Sequence, residues 1–309
     1  MPARSATAST PTSDQGEQVD LVVPGKIPAA YGRPARSRVD QEAAGPEPAS
    51  RIERVPWSVL GPHFIEQWGE RDGKMFPEHV ELVGPTGSGK SYLQAVIVKE
   101  RARRRGTPTI ILVTKRRDKT IAGMGWPITD KMADLQKHAQ VVFWLRTNKL
   151  GDEAIEYHKP RVKRLLDYVW ANSVKQSSEL VVIDEMMYVQ EELGLKALLE
   201  HYLREARSHG ISLILSKQRL QGATREMHAE TAWKIGFQMF DEDDNDRLAD
   251  LFGPRRAWRP VIQGLDNEKR EFLIQRKFTN ETYISWVDPA YIKRQKILEE
   301  AARRNSVRA

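Results

Sequence analysis

The sequence contains no cysteine, which excludes disulfide bonds, thiolate metal ligands and a cysteine nucleophile. It also has no long apolar run: the longest candidates, such as "TIILV" at 109–113, have the length of a core strand. A membrane-spanning helix needs ~20 apolar residues, so no membrane insertion is expected. The N-terminal "MPARSATASTPTSDQGEQ" has no apolar segment of the kind found in secretory signals. Together these absences fit a protein of a reducing cytoplasm.

Aromatic residues are scarce in the first part of the chain. Residues 1–50 are rich in Pro, Ala, Ser, Gly and Arg, a composition that cannot bury enough apolar surface to offset its chain entropy. This composition predicts a disordered N-terminal tail. The composition then changes, and residues 51–276 are expected to form one globular domain, followed by a C-terminal extension at 277–309 that ends in a basic helical tail.

The charge of the chain is biased to one sign. The 309 residues carry a formal net charge of +7. A basic balance of this size indicates an acidic partner, of which nucleic acid is the commonest. A solvated basic surface without such a partner remains the alternative at this point.

Short apolar runs alternate with longer helical patterns along the globular part. The runs are nearly continuous in apolar residues, as expected for strands that are buried on both faces of a parallel sheet. Candidate strands are 79–83, 109–114, 140–145, 180–184, 211–216, 234–239 and 271–275, and candidate helices are about 90–105, 160–173, 192–209 and 243–252. This alternation predicts an α/β fold with a mostly parallel central sheet flanked by helices.

The stretch "GPTGSGKS" at 84–91 matches the phosphate-binding pattern G-x-x-x-x-G-K-[ST] between a predicted strand and a predicted helix. Its glycines allow successive backbone N–H groups to point at phosphate oxygens, beside the positive end of the helix. Lys90 is expected to reach the β- and γ-phosphates of ATP, and the Ser91 hydroxyl to bind Mg²⁺. The predicted nucleotide-binding residues are Gly84, Pro85, Thr86, Gly87, Ser88, Gly89, Lys90, Ser91 and Tyr92.

A second apolar run, "LVVIDEM", ends in two carboxylates, Asp184 and Glu185. In an open α/β sheet, a carboxylate at the carboxyl end of such a strand lies beside the phosphate-binding loop. Asp184 is expected to hold Mg²⁺ together with Ser91, and Glu185 to act as the general base for an attacking water. The second acid favours hydrolysis over phosphoryl transfer to a small molecule.

The motifs "GPTGSGKS", "VVIDE" and "ARSHGISLILSKQRL", in this order and spacing, resemble the FtsK/HerA group of DNA-translocating ATPases. "KIGFQMFDEDDNDRLADLFG" also resembles a later segment of that group, so the resemblance covers about residues 78–253. It implies a RecA-like P-loop ATPase domain. The sequence departs from the group's pattern at Pro85, Lys217 and Leu220, and Lys217 places a charge beside the sensor position.

The resemblance also implies roles for two residues near the third motif. Gln218 is then the sensor that contacts the γ-phosphate or the attacking water. Arg207 is the arginine finger that reaches the nucleotide of a neighbouring subunit, where a guanidinium matches the charge spread over the phosphoryl oxygens. Arg204 is the alternative for the finger.

Basic clusters are candidates for contact with DNA phosphates, which carry no sequence information. They lie at 101–105, 115–117 and 161–164 and in the C-terminal tail, and the loop "TKRRDKTIAGMGW" is a candidate for projection into a central pore. The acidic run "DEDDND" at 241–246 is interpreted as the N-terminal cap of a helix rather than as a metal site.

The function expected from these features is an ATP-hydrolysing translocase of double-stranded DNA that acts as a homo-oligomer, with a hexameric ring as the expected state. Genome packaging in a phage or transfer of a mobile element is the expected setting, with a portal or transfer-apparatus protein as partner and the host cytoplasm as location if the chain is phage-encoded. The chain shows neither a membrane anchor nor the further domains of larger motors, which favours a compact motor. Two alternatives stay open: an ATPase that powers assembly or secretion of a protein machine, and a slow nucleotide-dependent switch.

Overall fold

The structure, a computed structural model, describes residues 52–71, 74–173, 179–222 and 225–308. The predicted disordered tail, residues 1–50, lies outside the described residues. The strands are β1 (Glu53–Pro56), β2 (Glu70–Arg71), β3 (Lys74–Met75), β4 (His79–Val83), β5 (Thr109–Val113), β6 (Ile128–Thr129), β7 (Gln140–Trp144), β8 (Glu179–Ile183), β9 (Ile211–Lys217), β10 (Thr231–Phe237), β11 (Phe272–Arg276) and β12 (Thr282–Trp286).

Helices cover both faces of the main sheet. They are α1 (Trp57–Gln67), α2 (Lys90–Arg105), α3 (Lys119–Ala122), α4 (Asp152–Asn172), α5 (Lys196–Glu205), α6 (Arg225–Glu230), α7 (Glu242–Phe252), α8 (Arg255–Gln263) and α9 (Pro289–Arg308). A π-helical turn spans Tyr188–Glu192, and 3₁₀ turns span Met132–Lys137 and Ala206–His209. No helix of the described residues has the length and apolar character needed to cross a bilayer.

Ten strands form one sheet in the order β1-β12-β11-β10-β4-β9-β8-β5-β7-β6, and β2 pairs with β3 separately. Within the ten-stranded sheet, the pairs from β10 through β6 and the pair of β1 with β12 are parallel, and the pairs of β11 with β10 and β12 are antiparallel. The predicted α/β fold with a mostly parallel sheet is therefore confirmed. Strand β9 lies between β4 and β8, so the residues that follow these three strands meet at one edge of the sheet.

The core forms because residues of each central strand alternate between two layers. On β8, Leu180 and Val182 join the layer that contains the apolar face of α2, whereas Val181 and Ile183 join the layer that contains α4. Burying each such side chain contributes about 1.5–3 kcal/mol. A third cluster, in which α7 and α8 pack against β11, covers the other end of the sheet.

All seven predicted strands are present with ends shifted by at most three residues, and α2 has the predicted bounds. Helix α4 begins at Asp152, earlier than predicted, because Pro160 is accommodated inside the helix. The predicted helix at 192–209 is divided into α5 and a 3₁₀ turn. Strands β1 and β12 were not predicted; β12 pairs with β11, so the sheet continues past residue 276 into the predicted C-terminal extension.

Candidate functional site

The phosphate-binding loop connects β4 to α2 in the conformation that its glycines permit. Gly87 and Gly89 have φ of 86° and 97°, in the left-handed region, and Gly89 is the N-cap of α2. Gly84 is needed for space instead, since a Cβ there would lie 2.8 Å from the Ser88 hydroxyl oxygen. The Pro85 carbonyl accepts a hydrogen bond from the Ser88 N–H at 3.3 Å, which closes the turn. The loop therefore presents a concave backbone at a helix N-terminus, the arrangement that binds phosphates.

Lys90 begins α2 and is buried, with 5% of its surface exposed. Burial lowers the pKa of Lys90, and the nearby Asp184 carboxylate opposes this shift. The Lys90 ammonium therefore interacts electrostatically with Asp184 and Glu185, as expected for a residue that binds a phosphate beside a metal ion.

The acid pair follows β8 directly. Lys115, which follows β5 after one residue, places its ammonium nitrogen 2.8 Å from Asp184 Oδ2 and 3.4 Å from Glu185 Oε2. Burial alone would lower the pKa of Lys115, but Asp184 and Glu185 outweigh it and raise the pKa. The ammonium therefore stays protonated and neutralises part of the charge of the two carboxylates.

A residue of α2 completes the contacts of Asp184. Gln94 Nε2 donates to Asp184 Oδ1 at 3.5 Å, and its Oε1 accepts from the Ser216 hydroxyl. Ser91 stands three residues before Gln94, so both lie on the face of α2 that is turned to the end of β8. A buried carboxylate, 1% exposed, facing the same helix side as a serine hydroxyl fits a Mg²⁺ site of the P-loop kind, which takes few protein ligands.

Gln218, the residue after β9, connects the loop to the acid pair. Its Oε1 accepts a hydrogen bond from the Thr86 hydroxyl at 3.0 Å, and its Nε2 donates to Glu185 Oε2 at 2.5 Å. The amide is thus oriented from both sides. One polar chain runs from the phosphate-binding loop through the end of β9 to the predicted general base.

The charge of Lys217 is not beside Gln218, which corrects the expectation from the sequence. Successive side chains along a strand lie on opposite faces of the sheet. The Lys217 side chain therefore lies on the face opposite to that of Gln218, whose side chain is turned to the site. The Lys217 ammonium is fully buried and lies 2.5 Å from Glu81 Oε1, and Glu81 Oε2 is 2.9 Å from His228 Nδ1. Burial alone would raise the pKa of Glu81, but Lys217 and His228 outweigh it and lower the pKa.

Arg207 lies at the other end of β9. Its guanidinium is 3.0 Å from Glu230 Oε2 and remains partly exposed. The seven residues of β9 separate it from Gln218, a length of roughly 20 Å at ~3.3 Å per residue. Arg207 is therefore remote from the loop of its own subunit. Arg204, the alternative finger, is exposed on α5.

Two clefts open at the edge of the sheet where the site lies. One, of about 740 Å³, is lined by Glu185 and Gln218 together with Lys115, Tyr188 and Arg219. The other, of about 520 Å³, is the basic cleft, lined by Arg116, Arg117, Asp118, Lys119, Ala122, Trp144, Arg146, Thr147 and Asn148. The Arg146 guanidinium stacks on the Trp144 ring with 4.1 Å to the centroid, which fixes that charge at the rim.

The predicted basic cluster at 101–105 is engaged within the fold. Arg101 is fully buried and stacks on the Trp68 ring at 3.8 Å. Arg104 pairs with Glu100 at 2.5 Å, and Arg105 donates to a backbone carbonyl of α1. Arg101 and Arg105 therefore attach α2 to its neighbours, and Arg104 is paired within the helix. Lys115, placed by the sequence among the DNA-contacting charges, faces the acid pair instead.

The acidic run at 241–246 begins α7 as predicted. Asp241 is the N-cap, and its Oδ1 accepts from the N–H groups of Asp243 and Asp244 at 2.9 and 3.2 Å. The described part of the chain holds no cluster of three or more His, Asp or Glu side chains that suits a metal ion. The run is thus explained by helix capping.

Lys115 and Gln94 are site residues that the sequence reasoning did not assign. The position of Lys115 in the site could have been predicted, because Lys115 follows a strand of the parallel sheet after one residue and therefore lies at the edge where ligands bind. The position of Gln94 could not, since a glutamine in the first turns of a helix has no motif of its own.

No protein-family model matches the sequence, and no relative is found among curated proteins. Among solved structures, the chain is similar to B204, the DNA-packaging ATPase from Sulfolobus Turreted Icosahedral Virus, with a TM-score of 0.51 and 19% identity over 69% of this chain and 100% of that chain. It is similar to the pCW3 conjugation coupling protein TcpA (TM-score 0.46, 16% identity, 73% of this chain, 65% of that chain). It is also similar to the cytoplasmic domain of the Thermomonospora curvata type VII secretion ATPase EccC (TM-score 0.46, 21% identity, 68% and 25%). The chain thus shares the fold of B204, a viral DNA-packaging ATPase, and this likeness concerns the fold alone.

Proposed function

We propose that this chain is an ATPase subunit that couples ATP hydrolysis to movement of double-stranded DNA. The observation that carries the proposal is the hydrogen-bonded chain from Thr86 through Gln218 to Glu185. A loop that only binds nucleotide needs no such connection to a second acid. A hydrolase needs one, because the water that attacks the γ-phosphate must be oriented by groups that also sense the phosphate.

The roles of the residues follow from their positions. The N–H groups of the loop and Lys90 bind the phosphates, Gln218 orients the water, and Glu185 accepts its proton as the oxygen bonds to the γ-phosphorus and ADP leaves. Ser91 and Asp184 would hold Mg²⁺, which supplies charge neutralisation at the phosphate oxygens. Thr86 positions Gln218.

The position of Arg207 favours an oligomer. Because it lies roughly 20 Å of strand away from its own loop, a guanidinium that serves as a finger must serve the nucleotide of a neighbouring copy. A closed ring, of which a hexamer is the state we propose, places such a residue at every nucleotide. Arg207 forms a salt bridge with Glu230 in its own subunit, and this salt bridge has to break before the guanidinium can bind the phosphate.

The basic cleft favours DNA as the substrate. Arg116, Arg117, Lys119 and Arg146 line it with only one acid, Asp118, among them. Duplex DNA is bound mainly through its phosphates, which this set of charges suits. Packaging of a viral genome or transfer of a mobile element, with a portal or transfer-apparatus protein as docking partner, is the role that we propose.

The test measures ATP turnover with and without duplex DNA at low salt, and displacement of a triplex-forming strand from the same duplex. We expect DNA to stimulate turnover and ATP to drive displacement. The Arg117→Ala/Lys119→Ala variant, at two residues that line only the basic cleft, should lose the stimulation but keep basal turnover. The matched control, Lys131→Ala/Lys137→Ala, which changes two exposed lysines outside the predicted basic clusters, should behave as the wild type. Turnover without stimulation or displacement would reject DNA movement and favour a polypeptide substrate, whereas absence of turnover would reject the ATPase itself.

A further inference from the structure

Arg270, in the turn before β11, has a backbone conformation that arginine rarely adopts. Its φ is 55°, and among the described residues only Arg270 and Asn280 have a positive φ without being glycine. Asparagine tolerates the left-handed region, whereas a residue such as arginine adopts it at a cost in free energy. Strain of this kind persists where the surrounding structure fixes it, and it is concentrated at functional sites.

The surrounding turn does fix this conformation. Asp266 Oδ1 accepts from the N–H groups of Glu268 and Lys269 at 2.9 and 3.1 Å. The Arg270 N–H donates to the Asn267 carbonyl at 3.2 Å, and the buried Glu271 carboxylate accepts from the Asp266 N–H at 2.9 Å. The turn is therefore built by its own hydrogen bonds, and the orientation of Arg270 is determined by it.

The side chain of Arg270 lies on the phosphate-binding loop. A Cβ placed on Gly89 would be 3.1 Å from Arg270 Cδ and 3.7 Å from its Cβ. Gly89 thus leaves room for the arginine in addition to adopting its own φ of 97°. The aliphatic part of the Arg270 side chain therefore lies against the residue that caps α2.

No carboxylate balances this charge. Within the described ranges, Arg270 makes no ion pair and no side-chain hydrogen bond, and its side chain is exposed. It stands beside Gly89, the N-cap at the positive end of α2, where a further cation is unfavourable until an anion arrives. Another arginine at this end of the sheet, Arg54, is paired with Glu271.

We propose that Arg270 binds the phosphate chain of the nucleotide held by its own subunit. The inference rests on the proposed nucleotide site and extends it by a residue from outside all three motifs. It gives the site two arginines of separate origin: Arg270 from the same subunit and Arg207 from the neighbour.

The test measures the affinities of the purified protein for ATP, ADP and inorganic tripolyphosphate by calorimetry without magnesium. Arg270→Gly suits the backbone and removes only the side chain, so the melting temperature of the nucleotide-free protein should stay equal or rise. All three affinities should fall about 10-fold, the effect of about one charged hydrogen bond. Arg270→Lys should retain an intermediate affinity.

Two controls separate the possible failures. Asn280→Gly makes the same backbone exchange away from the loop and should bind as the wild type does. Lys90→Ala should lose binding. Wild-type affinity in Arg270→Gly, while Lys90→Ala fails to bind, overturns the role of Arg270 and leaves the proposed ATPase intact. An Arg270→Lys variant as weak as Arg270→Gly also overturns it, because the charge then makes no contribution. A wild type that binds none of the three probes rejects the nucleotide site itself.

Discussion

The side-chain amide of Gln218 donates to the Glu185 carboxylate at 2.5 Å, so the end of β9 and the end of β8 are joined across the candidate site. The amide holds the carboxylate in one orientation while leaving its second oxygen for a water. Glu185→Gln keeps the size of the side chain but removes the base. We expect unchanged ATP affinity and turnover lower by about 10²–10⁴-fold, measured as phosphate release.

Gln218→Ala tests the other half of the same contact. It removes the orientation but leaves the base, so turnover should fall less than in Glu185→Gln while ATP still binds. Thr86→Val, which loses only the hydrogen bond to Gln218, should reduce turnover least. A Glu185→Gln enzyme that hydrolyses ATP at the wild-type rate contradicts the assignment of the base.

Lys115 should compete with a divalent cation for the acid pair. In Lys115→Met the Asp184 carboxylate, 1% exposed, loses the ammonium at 2.8 Å and is left buried without its partner. We expect the free energy of unfolding without magnesium to fall by about 2–4 kcal/mol. Added Mg²⁺ should then stabilise this variant more than the wild type, because it binds the same carboxylate in the folded state.

The control for this experiment is Lys119→Met, a basic residue of the same segment that does not contact the acids. It should show wild-type stability with and without the metal. Equal stabilisation of Lys115→Met and wild type by Mg²⁺ would contradict competition at Asp184.

Arg207 should act across a subunit boundary. Arg207→Ala alone and Glu185→Gln alone are each expected to be inactive. A ring that contains both should regain turnover where an intact Glu185 faces an intact Arg207 of its neighbour. The measurement is ATPase activity across mixing ratios, with Arg204→Ala in place of Arg207→Ala as the comparison. Activity that never exceeds the two separate variants argues against a finger at position 207.

His79 should make the stability of the fold sensitive to mild acid. Its Nδ1 accepts from the Leu213 N–H at 3.1 Å and its Nε2 lies 3.2 Å from the Leu203 carbonyl, so the ring is neutral. Burial, helped by the charge of Arg207, lowers the pKa of His79 from 6.5 to about 3. The unfolded chain therefore binds a proton more readily than the folded one, and the contribution of His79 is complete above pH 6.5 and declines from there toward pH 3.

Urea unfolding at pH 7 and pH 5 checks this. Between these values His79 should account for a loss of about 2 kcal/mol in the free energy of unfolding. Burial lowers the pKa of His63 and His158 as well, so part of the decline belongs to them. His79→Gln should be less stable at pH 7 but lose correspondingly less on acidification; an identical decline contradicts the assignment.

The central sheet could be predicted because its strands are buried on both faces and therefore read as continuous apolar runs. The phosphate-binding loop and the acid pair could be predicted because their residues are close in sequence. Strands β1 and β12 were not predicted: β1 is an edge strand of four residues, and β12, "TYISW", has two buried residues among three half-buried ones and forms no continuous apolar run. Their pairing connects residues more than 200 positions apart, which no local pattern records.

The contacts of the site were harder to predict than its members. Gln218 was assigned through resemblance, yet its bonds to Thr86 and Glu185 depend on β9 lying between β4 and β8. The charge of Lys217, one residue earlier, was expected beside the sensor, because a linear sequence does not show which face of a strand a side chain takes. Arg270 lies in a turn whose sequence, "DNEKRE", resembles any exposed acidic-basic loop.

Strand β9 carries Gln218 at one end and Arg207 at the other, with seven fully buried residues between them. In the proposed ring, β9 is a rigid connection between two nucleotides: Gln218 at one end contacts the nucleotide of its own subunit, and Arg207 at the other end contacts the nucleotide of the neighbouring subunit. A displacement of Gln218 when its phosphate leaves would be transmitted along the backbone to the finger of the next site. The buried Lys217 of β9 forms an ion pair with Glu81 of β4. The phosphate-binding loop, which follows β4, and Gln218, which follows β9, therefore have to shift together. The order in which the subunits of such a ring hydrolyse ATP would then be set by the movement of β9 and not by a separate signalling element.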